Sequence, residues 1–307
     1  MGQAKTDVEE FRKILKGSKR IMALCGAGLS VASGLPTFRG AGGLWREFNA
    51  TDLATPDAFE EDPALVWLFY AWRRHMALKA EPNAGHYALA ELAKKKGHDF
   101  LCLTQNVDGL SIRAGHPTEG IRMLHGNLLD IKCFEGCGYI ERNITRDPVC
   151  PALAAAAEDY APGEISPLLN PAIPTPQIDV KDLPHCPDCK RRGKDSLLRP
   201  GVVWFGEALP DGMLQEADNW LYPTVDVMLV IGTSAAVYPA AGYTRKAKNR
   251  GAIVAVINPD SSAGAGLDKK DFFFQGGADE FLPKLFEDVI GILPVKEKQP
   301  AAKSKEA

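Results

Sequence analysis

"RIMALCGAGLSVASGLPTFRGAGG", Arg20 to Gly43, joins an apolar run to a loop holding six glycines, Gly26, Gly28, Gly34, Gly40, Gly42 and Gly43. "RIMALC", Arg20–Cys25, predicts a buried strand. Glycines directly after a strand let the backbone take φ > 0 and come close to a ligand, and backbone N–H groups there can face phosphates. A flexible surface turn is the plainer alternative. Three further runs read as central strands: "DFLCLTQ" (Asp99–Gln105), "DVMLVIG" (Asp226–Gly232) and "AIVAVIN" (Ala252–Asn258). Helical stretches lie between and after them. "DPALVWLFYAWRRHMALKA" starts at a capping Asp62 with Pro63 at the first helical position. "AGHYALAELAKKKG" and "ADEFLPKLFEDVIGIL" follow. Strands alternating with helices predict an α/β, doubly wound parallel sheet, whose ligands sit at the C-terminal strand ends.

The spacing Gly26, Gly28, Gly34 does not match G-x-G-x-x-G, so the hydride-transfer dinucleotide fingerprint fails. The loop also runs on through "PTFRGAGGLW" without a helix. A long loop over a dinucleotide pocket suggests a cofactor that is cut rather than reduced.

The chain has 307 residues, 45% hydrophobic and 24% charged, with a net charge of −3. That size suits one large domain with a smaller one attached. The charge argues against a nucleic-acid partner. No apolar run reaches the roughly 18 residues of a membrane span, so no membrane partner is expected. "MGQAKTDVEEFRKILKGSKR" mixes both charge signs, unlike a secretory signal or transit peptide. A monomer inside the cell, in the cytoplasm, is expected, with mitochondrion and nucleus left open.

From about Lys132 to Leu198 the chain is rich in proline and holds five of the seven cysteines. Cys133 and Cys137 form a C-x-x-x-C pair, and Cys186 and Cys189 a C-x-x-C pair, with 48 residues between the two pairs. Two close pairs are zinc spacing rather than a disulfide framework. A closed four-thiolate site implies one structural Zn2+ holding together a segment that cannot build its own core. Cys150 is a competing ligand for Cys137. Cys25 and Cys102 sit in strands and read as core. The expected units are therefore a catalytic domain at 8–131 and 199–292, an inserted zinc-binding module at 132–198, and flexible tails at 1–7 and 294–307.

"GAGLSVASGLPTFRG" resembles the first signature of the sirtuins, the NAD-dependent protein deacylases. "TQNVDGL" (Thr104–Leu110), "LHGNL" (Leu124–Leu128), "GVVWFGE" (Gly201–Glu207), "GTSAAVYPAA" (Gly232–Ala241) and "INPD" (Ile257–Asp260) follow in the family's order. The resemblance covers about residues 8–292 and implies a Rossmann-like fold. It also implies amide cleavage with NAD as a consumed co-substrate. The acyl-lysine carbonyl oxygen attacks the ribose carbon bearing nicotinamide, giving an alkylimidate. Water then yields free lysine and O-acyl-ADP-ribose. His125, in the family's place for the general base, titrates near neutrality when unperturbed. A lone histidine without this context reads as structural.

By resemblance, Gln105 and the catalytic Asn106 contact the ribose region, while Asp108 and the Val107 backbone hold the nicotinamide amide. Gly26, Ala27, Gly28, Ser30, Thr37, Phe38, Arg39 and Trp45 would line the cofactor loop. Gly232, Thr233 and Ser234 would hold phosphate or ribose oxygens, and Asn258, Pro259, Asp260 and Ala278 the adenosine end. Val203, Trp204, Phe205, Gly206 and Glu207 would take an extended acyl-lysine peptide as an added strand. One departure is Ser111, in "DGLSIRAG", where many relatives carry Leu-His after the Asn-x-Asp motif.

Tyr70 and Arg73 lie three apart, on one face of a helix. In the class III sirtuins a Tyr-x-x-Arg pair at this place binds an acidic acyl tail. Its guanidinium fork matches a carboxylate, and the phenol adds a donor. Ala41 would leave room for the longer chain. The expected substrates are therefore succinyl-, malonyl- or glutaryl-lysine. Ordinary deacetylation and protein mono-ADP-ribosylation stand as alternatives, and a surface Tyr/Arg pair is the unspecific reading.

Overall fold

The computed structural model describes residues 4–37, 44–160, 164, 166–222 and 224–294. Of the sequence expectations, Phe38, Arg39, Ala41 and the tail beyond 294 lie outside them.

The first strand, β1 (Ile21–Cys25), is buried at every residue and occupies the middle of a six-stranded parallel sheet. The short strands β2 (Leu44–Trp45) and β3 (Phe48–Asn49) form a small hairpin after the glycine loop. β4 (Phe100–Thr104) pairs with β1 on one side, and β5 (Ile121–Met123) lies beyond it at the edge. A separate antiparallel sheet holds β6 (Gly126–Cys133), β7 (Ile140–Glu141) and β8 (Leu198–Val202), in the order β7-β6-β8. β9 (Val227–Ile231), β10 (Ile253–Ile257) and β11 (Phe272–Phe274) complete the main sheet, in the order β11-β10-β9-β1-β4-β5.

The four central strands are the four expected ones. The edge strands β5 and β11 were not read from sequence. β5 is three residues long and contains Arg122, so it lacks the apolar run that marks a central strand. Helices Val8–Gly17, Ala84–Lys96 and Ala278–Ile290 share one core with the sheet, and Met213–Trp220 and Gly242–Lys248 share another. The order reverses at β1, which lies between β4 and β9, so the loops after β1, β4 and β9 meet over one crevice.

A third core joins helix Pro63–Lys79 to the cysteine-rich segment. Asp62 caps that helix as expected, its carboxylate accepting from Leu65 N at 2.9 Å. Arg74, 2% exposed, ties the helix to the segment by donating to the carbonyls of Leu128 and Ile144. The small sheet reaches beyond the cysteine-rich stretch at both ends. β6 starts directly after His125, and β8 runs on into 203–207.

Candidate functional site

One cavity of about 670 Å³ opens at the crevice over β1, β4 and β9. Its glycine-rich wall is tighter than a flexible turn. A Cβ on Gly28 would stand 2.6 Å from Gly232 Cα, and one on Gly26 2.6 Å from Thr233 Cβ. Gly28 N donates to Gly232 O at 2.8 Å, and Gly232 itself has φ 57°. The two loops interlock backbone to backbone, which only glycine permits here. Gly26, Ala27, Gly28, Ser30 and Thr37 line the cavity from the first loop. Gly232, Thr233 and Ser234 line it from the loop after β9, and Asn258 and Pro259 from the end of β10. Gln105 Nε2 donates to Thr233 Oγ1 at 3.0 Å, and Asn258 Nδ2 to Thr233 O at 3.2 Å. These contacts form a polar cradle with backbone close at hand, as a dinucleotide requires.

Past the end of β4 the polar groups converge. Ser30 Oγ donates to Asp108 Oδ2 at 2.7 Å and accepts from Asn106 Nδ2 at 3.3 Å. Asp108 Oδ1 also holds Leu110 N at 2.9 Å, fixing the turn. His86, which sequence reading passed over, stands 3.4 Å behind Ser30 Oγ. Asn83 N donates to its Nδ1, so Nε2 carries the proton towards Ser30. Burial outweighs the pull of Asp108 and drops this imidazole to about 4, so it is neutral. The signal available in sequence was only a capping pattern, Asn83 with His86 three residues on.

His125, on the turn into β6, lines the same cavity beside Gln105, Asn106, Val107 and Asp108. Its Nδ1 lies 3.2 Å from Gln105 O, which can only accept, so Nδ1 carries hydrogen and Nε2 is left as a base. Burial lowers its pKa, and the Gln105 carbonyl partly opposes that.

Tyr70 and Arg73 both line the cavity, with Met76 from the next turn of their helix. Tyr70 is 4% exposed. Burial raises its pKa, against the pull of Arg73, so the phenol stays protonated at neutral pH. Burial also lowers the Arg73 pKa, with Tyr70 and Asp108 opposing. Val203, Trp204, Phe205, Gly206 and Glu207 form the facing wall. Val203 N donates to His125 O at 2.8 Å, which joins that wall to the histidine. The Glu207 carboxylate turns inward, where Arg199 holds it through two nitrogens at 2.5 and 3.0 Å.

Three of the predicted residues are not at the cavity wall. Trp45 is 1% exposed and packs edge-on against Phe69. Asp260 caps the turn at Ser261–Gly264. Ala278 is buried at the first position of the last helix, where its carbonyl meets Gly85.

The Cys133, Cys137, Cys186 and Cys189 sulfurs all lie within 4.8 Å of one another. Cys133 and Cys189 are 3.6 Å apart, and Cys137 and Cys186 3.5 Å. Four thiolates around zinc at about 2.3 Å stand about 3.8 Å apart in a tetrahedron, so the donor set fits one zinc ion. Cys150 lies outside the cluster, with its thiol on Asp182 O at 3.5 Å. The competition between Cys150 and Cys137 is thus resolved in favour of Cys137.

Residues 26–239 match the Sir2 family model. An NAD-dependent protein deacylase of Candida albicans is 44% identical over 92% of this chain and 98% of its own length. The mitochondrial NAD-dependent protein deacylase sirtuin-5 of Canis lupus familiaris is 40% identical over 92% and 86%. Among solved structures, a Sir2 homolog–NAD complex superposes with a TM-score of 0.72 at 35% identity, over 94% of this chain and 96% of that one. A Sir2–p53 peptide–NAD+ structure gives 0.68 at 26% identity, over 92% and 98%.

Proposed function

The chain belongs to the Sir2 family, and from that premise we propose that this NAD-dependent protein deacylase acts on lysines carrying acidic acyl groups: succinyl, malonyl or glutaryl. Bound NAD supplies an electrophilic ribose carbon and the nicotinamide leaving group. The chain's own residues then orient and move protons. Asn106 and Asp108, linked through Ser30, present an amide and a carboxylate to the nicotinamide-ribose end. His125 Nε2 takes a proton from a ribose hydroxyl while Nδ1 stays bound to Gln105 O. The 203–207 wall binds the extended peptide, and the apolar lining around the lysine stem excludes water.

The observation that carries the acyl preference is the pairing of Tyr70 and Arg73 on one cavity wall, a protonated phenol beside a desolvated guanidinium. A terminal carboxylate answers both groups. An acetyl group answers neither. The sirtuin-5 names among the relatives point the same way. Those names also include "mitochondrial", so fractionation decides between that compartment and the cytoplasm.

The test is one peptide carrying either acetyl- or succinyl-lysine, with nicotinamide release and peptide mass followed for wild type and Arg73→Met. Wild type is expected to favour succinyl. Arg73→Met should lose about 100-fold in kcat/KM on succinyl, roughly 2.7 kcal/mol. Succinyl turnover left intact in Arg73→Met refutes the acyl assignment. Label from NAD arriving on the peptide rather than the acyl group would favour ADP-ribosyl transfer.

A further inference from the structure

The cavity runs on past the residues assigned to the reaction, to a carboxylate that so far has no task. Gly277 and Asp279, at the start of the last helix, line it together with Asn258 and Pro259. Sequence reading places Asp260 and Ala278 at this end and passes over Asp279. Asp260 is taken up by its own turn, its Oδ1 accepting from Ser262 N at 2.9 Å. Asp279 is half-buried, and among the described residues no hydrogen bond or ion pair holds its carboxylate.

The sheet order decides which part of the dinucleotide comes here. From Asp108 and His125, which follow β4 and face the nicotinamide end, the strand ends run β4, β1, β9, β10, β11. Neighbouring strands stand about 4.8 Å apart, so β11 lies about 19 Å from β4. The glycine loop after β1 and residues 232–234 after β9 take the middle of the ligand, where its phosphates are. The stretch after β11 therefore meets the far end, the adenine base. Hydrogen bonds seat that stretch against the end of β10: Gly276 N donates to Asn258 O at 3.2 Å, and Gln275 Nε2 to Pro259 O at 3.3 Å. Asn258 itself uses Nδ2 on Thr233 O and Oδ1 on Asp260 N.

Gly277 shows where the carboxylate lies. A Cβ built on it would stand 2.5 Å from Asp279 Oδ1 and, chain neighbours aside, would meet no other residue within 4 Å. The oxygen thus sits over a bare glycine in the cavity wall, a flat floor with an acceptor at its edge. Of the other charged side chains that line the cavity, Arg73 stands with Tyr70, and Asp108 and Glu207 are bound by Ser30 and Arg199. Among the described residues Asp279 is the charged group left for the base.

We propose that the Asp279 carboxylate accepts a hydrogen bond from the 6-amino group of the adenine, and so selects NAD over dinucleotides whose purine carries a 6-oxo group. A carboxylate only accepts. The amine offers it two hydrogens, whereas a 6-oxo group sets one acceptor against another. Which acyl group the enzyme removes does not bear on this.

The test is calorimetric binding of NAD, nicotinamide hypoxanthine dinucleotide and NADP to wild type, Asp279→Asn and Asp279→Ala, without acyl peptide so that no deacylation turns over. Thermal melts verify folding of the variants. Wild type should bind NAD about tenfold more tightly than the hypoxanthine analogue. That ratio should fall to about one in both variants, because alanine has no acceptor and the asparagine amide can turn to serve either purine. A wild-type ratio near one, or a ratio that survives in the variants, overturns the inference. So does a gain for NADP in the variants with the purine ratio unchanged, which would put the carboxylate at the adenosine ribose instead. None of these outcomes touches the acidic-acyl reading, whose own test is the peptide assay.

Discussion

Glu207→Gln is the substitution whose consequence the structure determines most directly. Sequence reading assigns Glu207 to the substrate; it lines the cavity, and its carboxylate is held by Arg199, which is 3% exposed at its side chain. Glutamine keeps the shape and one acceptor but removes the charge. Breaking one partner of a buried pair costs about 3–5 kcal/mol, because the other charge stays buried. Glu207 is 24% exposed, and Arg199 retains the Val202 carbonyl and the Trp204 ring, so the lower end, about 3 kcal/mol, is expected. At about 2 °C per kcal/mol for a chain this long, the melting temperature should drop by about 6 °C.

The pH dependence follows from the same pair. Burial pushes the Glu207 carboxyl up, but the Arg199 bonds and the Trp204 N–H bring it below its ordinary value. A depressed carboxyl contributes stability above the unfolded value of about 4.3, and that contribution is lost as pH falls through the lower folded value. Wild type and Glu207→Gln should therefore differ fully at pH 7 and approach one another below about pH 4. The assay is thermal unfolding of wild type, Glu207→Gln, Arg199→Met and the double variant. The double variant should be less damaged than the sum of the singles, because no unpaired buried charge remains. Strict additivity, or a loss under about 1 kcal/mol for Glu207→Gln, refutes the reasoning.

Two further outcomes are expected. Burial lowers the His125 pKa, and the base must be neutral, so kcat/KM should be full at pH 7 and fall on an acid limb centred below the ordinary histidine value of about 6.5. A limb at or above that value contradicts the assignment, and His125→Ala should remove the reaction. One zinc per chain should be found by elemental analysis and be lost in Cys186→Ser but kept in Cys150→Ser, with chelation lowering the melting temperature. Zinc lost in Cys150→Ser would exclude the four-sulfur set.

The parts legible in sequence were those whose cause is local. Apolar runs such as Ile21–Cys25 and Val227–Ile231 announce buried parallel strands because every residue is covered on both faces. Asp62 and Pro63 announce a helix start through one side-chain bond. The cysteine pairs announce a metal site because thiolates three or four residues apart can meet one ion. The glycines were legible in type but not in reason. Gly28 is needed for a close approach to Gly232, over 200 residues away, and no local pattern carries that distance.

The cavity wall around Tyr70 and Trp204 sharpens the point. Tyr70 and Arg73 could be paired from sequence because a helix puts residues three apart on one face. Their counterpart could not. Trp204 owes its position to Arg199 and Glu207, on either side of it in the chain, and to Phe59 from a distant helix. The motif "GVVWFGE" suggests a strand that accepts a peptide, and both its tryptophan and its glutamate read as surface for substrate. Both line the cavity, but the glutamate has a second task. The glutamate goes inward to satisfy a buried arginine, and that arginine flattens the indole against the cavity. A buried cation of this kind costs too much to leave unpaired, so the ion pair determines the wall before any substrate arrives. Acyl selectivity in this enzyme should therefore respond to Arg199, behind the cavity surface, and to Glu207, on the wall itself, as well as to the two on the helix.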